Sequence, residues 1–124
     1  MIDHVGFAVT DYQKGKEFFA KALAPLGYTV AVDMPEYKVV GFGANGVTDF
    51  WVAEDMAPRG AHLSFKADSK EAVDAFHAAA IEAGATDNGA PGYREMYSPS
   101  YYGAFIHDPD GHNIEAVWYD TSKT

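Results

Sequence analysis

Cysteine is absent from the 124 residues. That excludes disulfide frameworks, thiolate zinc sites and cysteine nucleophiles, and it gives redox chemistry no say over compartment. Arginine is nearly absent too, with Arg59 and Arg94 alone. The formal charge is −9 from 9 Lys+Arg against 18 Asp+Glu. Such a chain is a poor binder of phosphate or nucleic acid. No apolar run approaches the roughly 18 residues of a membrane span. Met1-Ile2-Asp3-His4 shows no basic segment leading into an apolar one, so neither a signal peptide nor a membrane is expected and the location reads as cytoplasmic. What is present is a core: 48% hydrophobic and 15% aromatic residues rule out a disordered tail. One domain over residues 1–124, acting on a small molecule, is the starting expectation.

The chain repeats itself. His4-Val5-Gly6-Phe7 resembles His62-Leu63-Ser64-Phe65 at an offset of 58, which also relates Phe18 to Phe76 and Leu23 to Ile81. Each half reads as βαβββ, giving a module at 1–56, a module at 57–124 and a joint near Met56-Ala57-Pro58. In the first strand, Val5, Phe7 and Val9 face a helix while His4, Gly6 and Ala8 face away. Ala61–Phe65 repeats the pattern. Helices are predicted over Asp11–Ala24, capped by Thr10 or Asp11, and Asp68–Ala83, where Asp68 and Glu71 resemble a capping box. Strands follow at Tyr28–Asp33, Tyr37–Gly43 and Thr48–Ala53. Thr86 to Pro99 reads as a long loop or distorted strand. Tyr101–His107 and His112–Tyr119 form a hairpin around Asp108-Pro109-Asp110-Gly111. The fold class is α+β, with a mostly antiparallel sheet and helices on one side.

His4 and His62 occupy equivalent positions beside small residues, which leaves room in front of each imidazole. Strand parity adds Glu115. A four-residue turn at Asp108–Gly111 makes His107 face His112 and Ala104 face Glu115. Ile114, Ala116 and Trp118 then form the core face and Glu115 lies opposite. In that register Tyr102 points to the same side as Glu115 and Tyr101 does not. His107 and His112 are excluded as ligands, and His77 falls on the helix surface. Two imidazoles and a carboxylate suit Zn, Ni, Mn or Fe, with positions left open for water or substrate. The alternative for Glu115 is an edge carboxylate in water.

These residues resemble the vicinal oxygen chelate superfamily, which holds glyoxalase I, extradiol dioxygenases, fosfomycin-resistance transferases and bleomycin-resistance proteins. The likeness rests on Asp3-His4-Val5-Gly6-Phe7, Asp11, Phe18-Phe19, Leu26-Gly27, His62-Leu63-Ser64-Phe65, Gly103-Ala104-Phe105 and Asp108-Pro109-Asp110-Gly111-His112-Asn113-Ile114-Glu115. It implies paired βαβββ modules forming a cup-shaped mixed sheet with helices outside. It also implies one divalent metal on His4, His62 and Glu115, and a homodimer. Glyoxalase I carries a fourth ligand, a glutamate on the last strand of its first module. Matching Gly46 to Gly111 puts Phe50 there, and a one-residue slip offers Asp49 or Trp51, so a three-ligand site is expected.

The resemblance implies a glyoxalase-like, metal-dependent lyase or isomerase acting on a small oxygen-rich substrate. Glu115 would serve as proton-shuttling base as well as ligand, with Tyr102 catalytic. Arg94, Tyr93 and Tyr97 would line a lid, and Phe50 and Trp51 a pocket wall. The alternatives are an antibiotic-binding protein without catalysis and an extradiol-type dioxygenase. A third is a fold that persists without a catalytic role.

Overall fold

The computed structural model describes residues 1–55, 60–108 and 111–123. The joint at Met56-Ala57-Pro58 and Arg59 lie outside the described residues. The chain divides into two compact units, His4–Ala61 on one hand, and Met1–Asp3 with His62–Thr124 on the other.

The first module runs β1 (Ile2–Val9), α1 (Tyr12–Leu23), β2 (Thr29–Met34), β3 (Val39–Ala44) and β4 (Val47–Glu54). Its strands are ordered β2-β3-β4-β1. β1 runs parallel to β4, and the other pairs are antiparallel. Asp11 caps α1 by accepting from Lys14 N–H at 2.9 Å. Phe19, Ala20 and Leu23 pack on the buried cluster of Tyr12, Val40, Phe42 and Val52. Phe18 stays 63% exposed.

The second module repeats the order with β5 (His62–Lys66), α2 (Lys70–Glu82), β6 (Thr86–Tyr93), β7 (Tyr101–His107) and β8 (Asn113–Tyr119). Its strands are ordered β5-β8-β7-β6, with β5 parallel to β8. Residues 1–3 belong with this unit for visible reasons. Lys66 N–H donates to Met1 O at 2.8 Å, and the Tyr119 hydroxyl donates to Asp3 Oδ2 at 3.1 Å. The paired βαβββ reading and the α+β class hold. Among the described residues no helix is long and apolar enough to cross a membrane.

Two local expectations change, and Thr86–Tyr93 takes the distorted-strand alternative. Ser69, not Asp68, caps α2, accepting from Ala72 N–H at 3.1 Å. Thr86–Tyr93 is a strand throughout. Two breaks in its pairing with β7, between Asp87 and Gly89 and between Gly89 and Gly92, absorb Pro91 and the glycines. The hairpin register is one residue longer than a four-residue turn gives. His107 pairs with Asn113 and Phe105 with Glu115. The cause is Asp108. Its N–H donates to His112 O at 3.0 Å, and its carboxylate accepts the His112 N–H at 2.9 Å. His112 is thereby drawn into the loop, while Gly111 takes a φ of +88° that suits glycine. Pro109 and Asp110 lie outside the described residues.

Two tests follow from the packing. Phe42 is fully buried and contacts Phe19 and Phe50. Phe42→Ala costs about 3–5 kcal/mol in urea unfolding, whereas Phe18→Ala costs under about 1.5 kcal/mol. Asp120 is 8% exposed. The Ser122 hydroxyl, and next the Tyr93 hydroxyl, hold its carboxyl below the usual carboxylate range. A depressed folded-state value stabilises at neutral pH, and the contribution is lost as pH falls through that value. The stability gap between wild type and Asp120→Asn therefore narrows in melts below about pH 4.

Candidate metal centre

Parallel pairing of β5 with β8 sets Ser64 beside Glu115 and His62 beside Asn113. Glu115 has no exposed surface, so its charge needs compensation from nearby donors or cations. One donor is the Tyr101 hydroxyl, which makes a short hydrogen bond to Glu115 Oε2. Burial first, then the Glu115 charge and this bond, raise the Tyr101 phenol well above its ordinary value, so it remains a donor. Gly103 makes room for the contact. A Cβ there would sit 3.2 Å from Glu115 Oε2 and 3.2 Å from the Tyr101 ring.

The other oxygen, Glu115 Oε1, lies 3.0 Å from His62 Nε2. His62 Nδ1 lies 3.0 Å from Asn113 O. A carbonyl only accepts, so Nδ1 carries a proton and Nε2 is the nitrogen that faces the carboxylate oxygen. A proton or a metal ion at that position satisfies both atoms. His4 follows directly on the Met1–Asp3 segment of β1. One ligand atom each of His4, His62 and Glu115 fall within 4.8 Å of one another. That spread is a little over two metal–ligand bonds of about 2.0–2.2 Å. A divalent ion fits this donor set. Ser64 is fully buried on the same face as Glu115, and its Oγ has no hydrogen-bond partner among the described residues.

The corrected register moves several expected residues. Tyr102 does not share the Glu115 face. It points to α2 and donates to Asp74 at 2.6 Å, with its phenol pushed up to about 12, chiefly by burial. Tyr101 takes its place. Tyr93 lies on the α2 side as well, against Tyr102 and donating to Asp120 at 2.8 Å. Phe50 packs in the core with Phe19 and Phe42. Trp51 faces the opposite way and lies over Gly41, where a Cβ would come within 2.8 Å of its ring. Tyr97 is exposed and meets the Tyr101 ring edge-on at 5.0 Å.

Arg94 lies over the Phe105 ring at 5.3 Å, and Phe105 stacks on His62 at 6.2 Å and 25°. His77 pairs with Asp87 at 2.9 Å. The pseudo-symmetric partner of Glu115 also becomes definite. Ser64 pairs with Glu115 in one module, and its repeat equivalent Gly6 pairs with Trp51 in the other. The β4 residue in the place of Glu115 is thus Trp51. Asp49, the nearest carboxylate on β4, accepts from the Tyr28 hydroxyl at 2.7 Å. Tyr101 and Phe105 escaped the sequence reading as site residues, and the Asp108–His112 spacing is the signal that would have found Tyr101.

The family follows from matches that agree with this geometry. The chain belongs to the Glyoxalase/Bleomycin resistance protein/Dioxygenase superfamily, whose model matches residues 1–116. Among solved structures, it is similar to the Mn(II)-bound glyoxalase from Novosphingobium aromaticivorans, with 24% identity and a TM-score of 0.76. That alignment covers 94% of this chain and 38% of the other, so the chain spans well under half of that glyoxalase. The 2,3-dioxygenase LapB from Pseudomonas sp. KL28 aligns at 16% identity and a TM-score of 0.69, covering 97% of this chain and 42% of its own. A superfamily member from Vibrio splendidus 12B01 aligns at 13% and 0.68, covering 95% and 99%. At these identities the likeness establishes the fold. No curated protein matches the chain.

Removing the Tyr101 hydroxyl strands a buried carboxylate oxygen. Tyr101→Phe lowers the unfolding free energy of the metal-free protein by about 1.5–3 kcal/mol, the range for bonds to charged groups. Tyr102→Phe, whose partner Asp74 is exposed, costs less. Parallel urea titrations compare the two.

Proposed function

We propose that this protein is a metal-dependent enzyme whose divalent ion is held by His4, His62 and Glu115. Its substrate is a small molecule that presents neighbouring oxygens. The observation that carries the reading is His62 Nε2 set 3.0 Å from a fully buried carboxylate oxygen, with a His4 ligand atom close by. When bound, the ion supplies Lewis-acid polarisation of a substrate oxygen. The protein's own part is positional. Asn113 O orients the His62 ring, and Tyr101 anchors Glu115 through Oε2 so that Oε1 faces the ion. The β4 residue that pairs with Gly6 is Trp51 rather than a carboxylate, so the proposed ligand set stays at three.

The same arrangement narrows the reaction. Both Glu115 oxygens are committed, one to Tyr101 and one toward His62, so Glu115 is assigned as a ligand rather than a mobile proton shuttle. That supports a second reading. Two histidines and one carboxylate with open positions are the donor set of Fe(II) oxygenases, and ring cleavage of a vicinal diol needs no protein base on that carboxylate. The isomerase reading needs another proton carrier beside the substrate.

Protein stripped with chelator and titrated with Mn(II), Fe(II), Ni(II) or Zn(II) should bind one ion per chain. His62→Ala and Glu115→Gln should each weaken uptake by more than the 10–100-fold typical of outer-shell changes, about two orders of magnitude or beyond. Elemental analysis and competition with a chromogenic chelator read this out. Wild type that takes up no stoichiometric ion would sink the proposal. Oxygen consumption by the Fe(II)-loaded form with catechol separates the dioxygenase reading from the isomerase reading.

A further inference from the structure

Arg94 is held as a built feature rather than a stray surface cation. Its Nη1 donates to Gly92 O at 2.9 Å and its Nη2 to Ala90 O at 2.7 Å. The guanidinium plane lies over Phe105, the β7 residue that pairs with Glu115 and stacks on His62. Strand β6 is cleared to receive it. A Cβ at Gly89 would stand 3.0 Å from Nη2, and one at Gly92 would stand 3.1 Å from Nη1. Gly89 also sits at a φ of +151°, open to glycine and strained for other residues. All of these residues belong to one compact unit, so the arrangement is internal to the second module.

Two of the five guanidinium N–H groups serve the backbone, and the other three have no partner among the described residues. Asp87, an acid that feels the Arg94 charge, is committed elsewhere. It accepts the Gly89 N–H at 2.9 Å and pairs with His77 at 2.9 Å. Asn88 and Asn113, joined at 3.2 Å, line the same side of His62 with uncharged amides. In a chain of net charge −9, a preorganised arginine one ring away from a candidate metal ligand is a selective feature. A planar fork with spare donors matches a carboxylate.

We infer that Arg94 anchors a carboxylate on the substrate, at the end remote from its metal-chelating oxygens. The inference rests on the metal reading above and names its substrate class: small carboxylic acids that also carry vicinal oxygens. Arg94 contributes specificity, and Phe105 spaces it from His62.

The test uses Zn(II)-loaded protein, which is redox-inert, titrated calorimetrically with protocatechuate and with its neutral primary amide. Both probes carry the same vicinal diol and an electron-withdrawing carbonyl, so only the charge differs. Wild type should favour the acid by about ten- to a hundredfold. Arg94→Gln should bring the two affinities together while Zn(II) uptake stays unchanged. Arg94→Lys, which keeps the charge but loses the fork, should keep part of the preference. Gly92→Ala displaces the guanidinium without removing it and should also reduce the preference. Circular dichroism melts establish that each variant is folded, and a purely structural role for Arg94 would not move the ratio between two probes. Equal binding of acid and amide by wild type, or a preference that survives in folded Arg94→Gln, overturns the inference and leaves the metal reading standing. Wild type that binds no Zn(II) defeats both, through a different measurement.

Discussion

A carboxylate with none of its surface in water governs this molecule. Glu115 lies fully buried on β8 between two strands that each answer it. β7 supplies the Tyr101 hydroxyl to one oxygen, and β5 brings the His62 ring to the other. Burying such a charge costs several kcal/mol unless donors or cations surround it. The surrounding sequence is arranged accordingly. Gly103 leaves space for the Tyr101–Glu115 contact, Asn113 O settles which nitrogen of His62 holds the proton, and Ser64 keeps the neighbouring position small and polar. Exchanging Glu115 for an apolar residue would relieve the electrostatic cost.

The opposite face of the same strands obeys a different rule. Ala104, Ala116 and Tyr102 meet Val73 of α2, and Tyr93 closes the layer from β6. The hydroxyls here reach carboxylates at the rim, Tyr102 to Asp74 and Tyr93 to Asp120. Lys70 and Lys123 lie over these rings at 5.3 and 4.4 Å. Adjacent tyrosines on β7 thus have unrelated jobs. Tyr101 reaches the buried carboxylate, and Tyr102 belongs to the helix packing. Period-two geometry makes that division sharp, since neighbours in a strand point to opposite faces.

This sharpness explains what was legible in the sequence. The modules were readable because His4-Val5-Gly6-Phe7 and His62-Leu63-Ser64-Phe65 share a spacing that insertions had not disturbed. Glu115 was readable because Ile114, Ala116 and Trp118 mark the core face of β8 without reference to any partner strand. Tyr101 was not readable in that way. Its face depends on pairing across a turn, and the turn is one residue longer than Asp108–Gly111 because the Asp108 carboxylate holds the His112 amide. One residue of loop length exchanges every side chain of β7 between faces, which is how Tyr102 and Ala104 came to be expected beside Glu115. Strand β6 stayed open between a loop and a distorted strand for another reason. Pro91 and the nearby glycines break the alternation, and β7 offers an edge that tolerates two interruptions of the ladder.

The two modules have diverged at the position that matters most for chemistry. Matching loops through Gly46 and Gly111 sets Phe50 against Glu115, but loops drift in length while strand pairing does not. Pairing sets Gly6 with Trp51 and Ser64 with Glu115. An indole at the first of these positions and a carboxylate at the second distinguish the two modules. Under the metal proposal, His4, His62 and Glu115 would leave a divalent ion with a net positive charge, a condition that favours capture of an anionic, chelating substrate. Recognition would then fall to the second module, where Phe105 and Arg94 extend the polar face outward from His62.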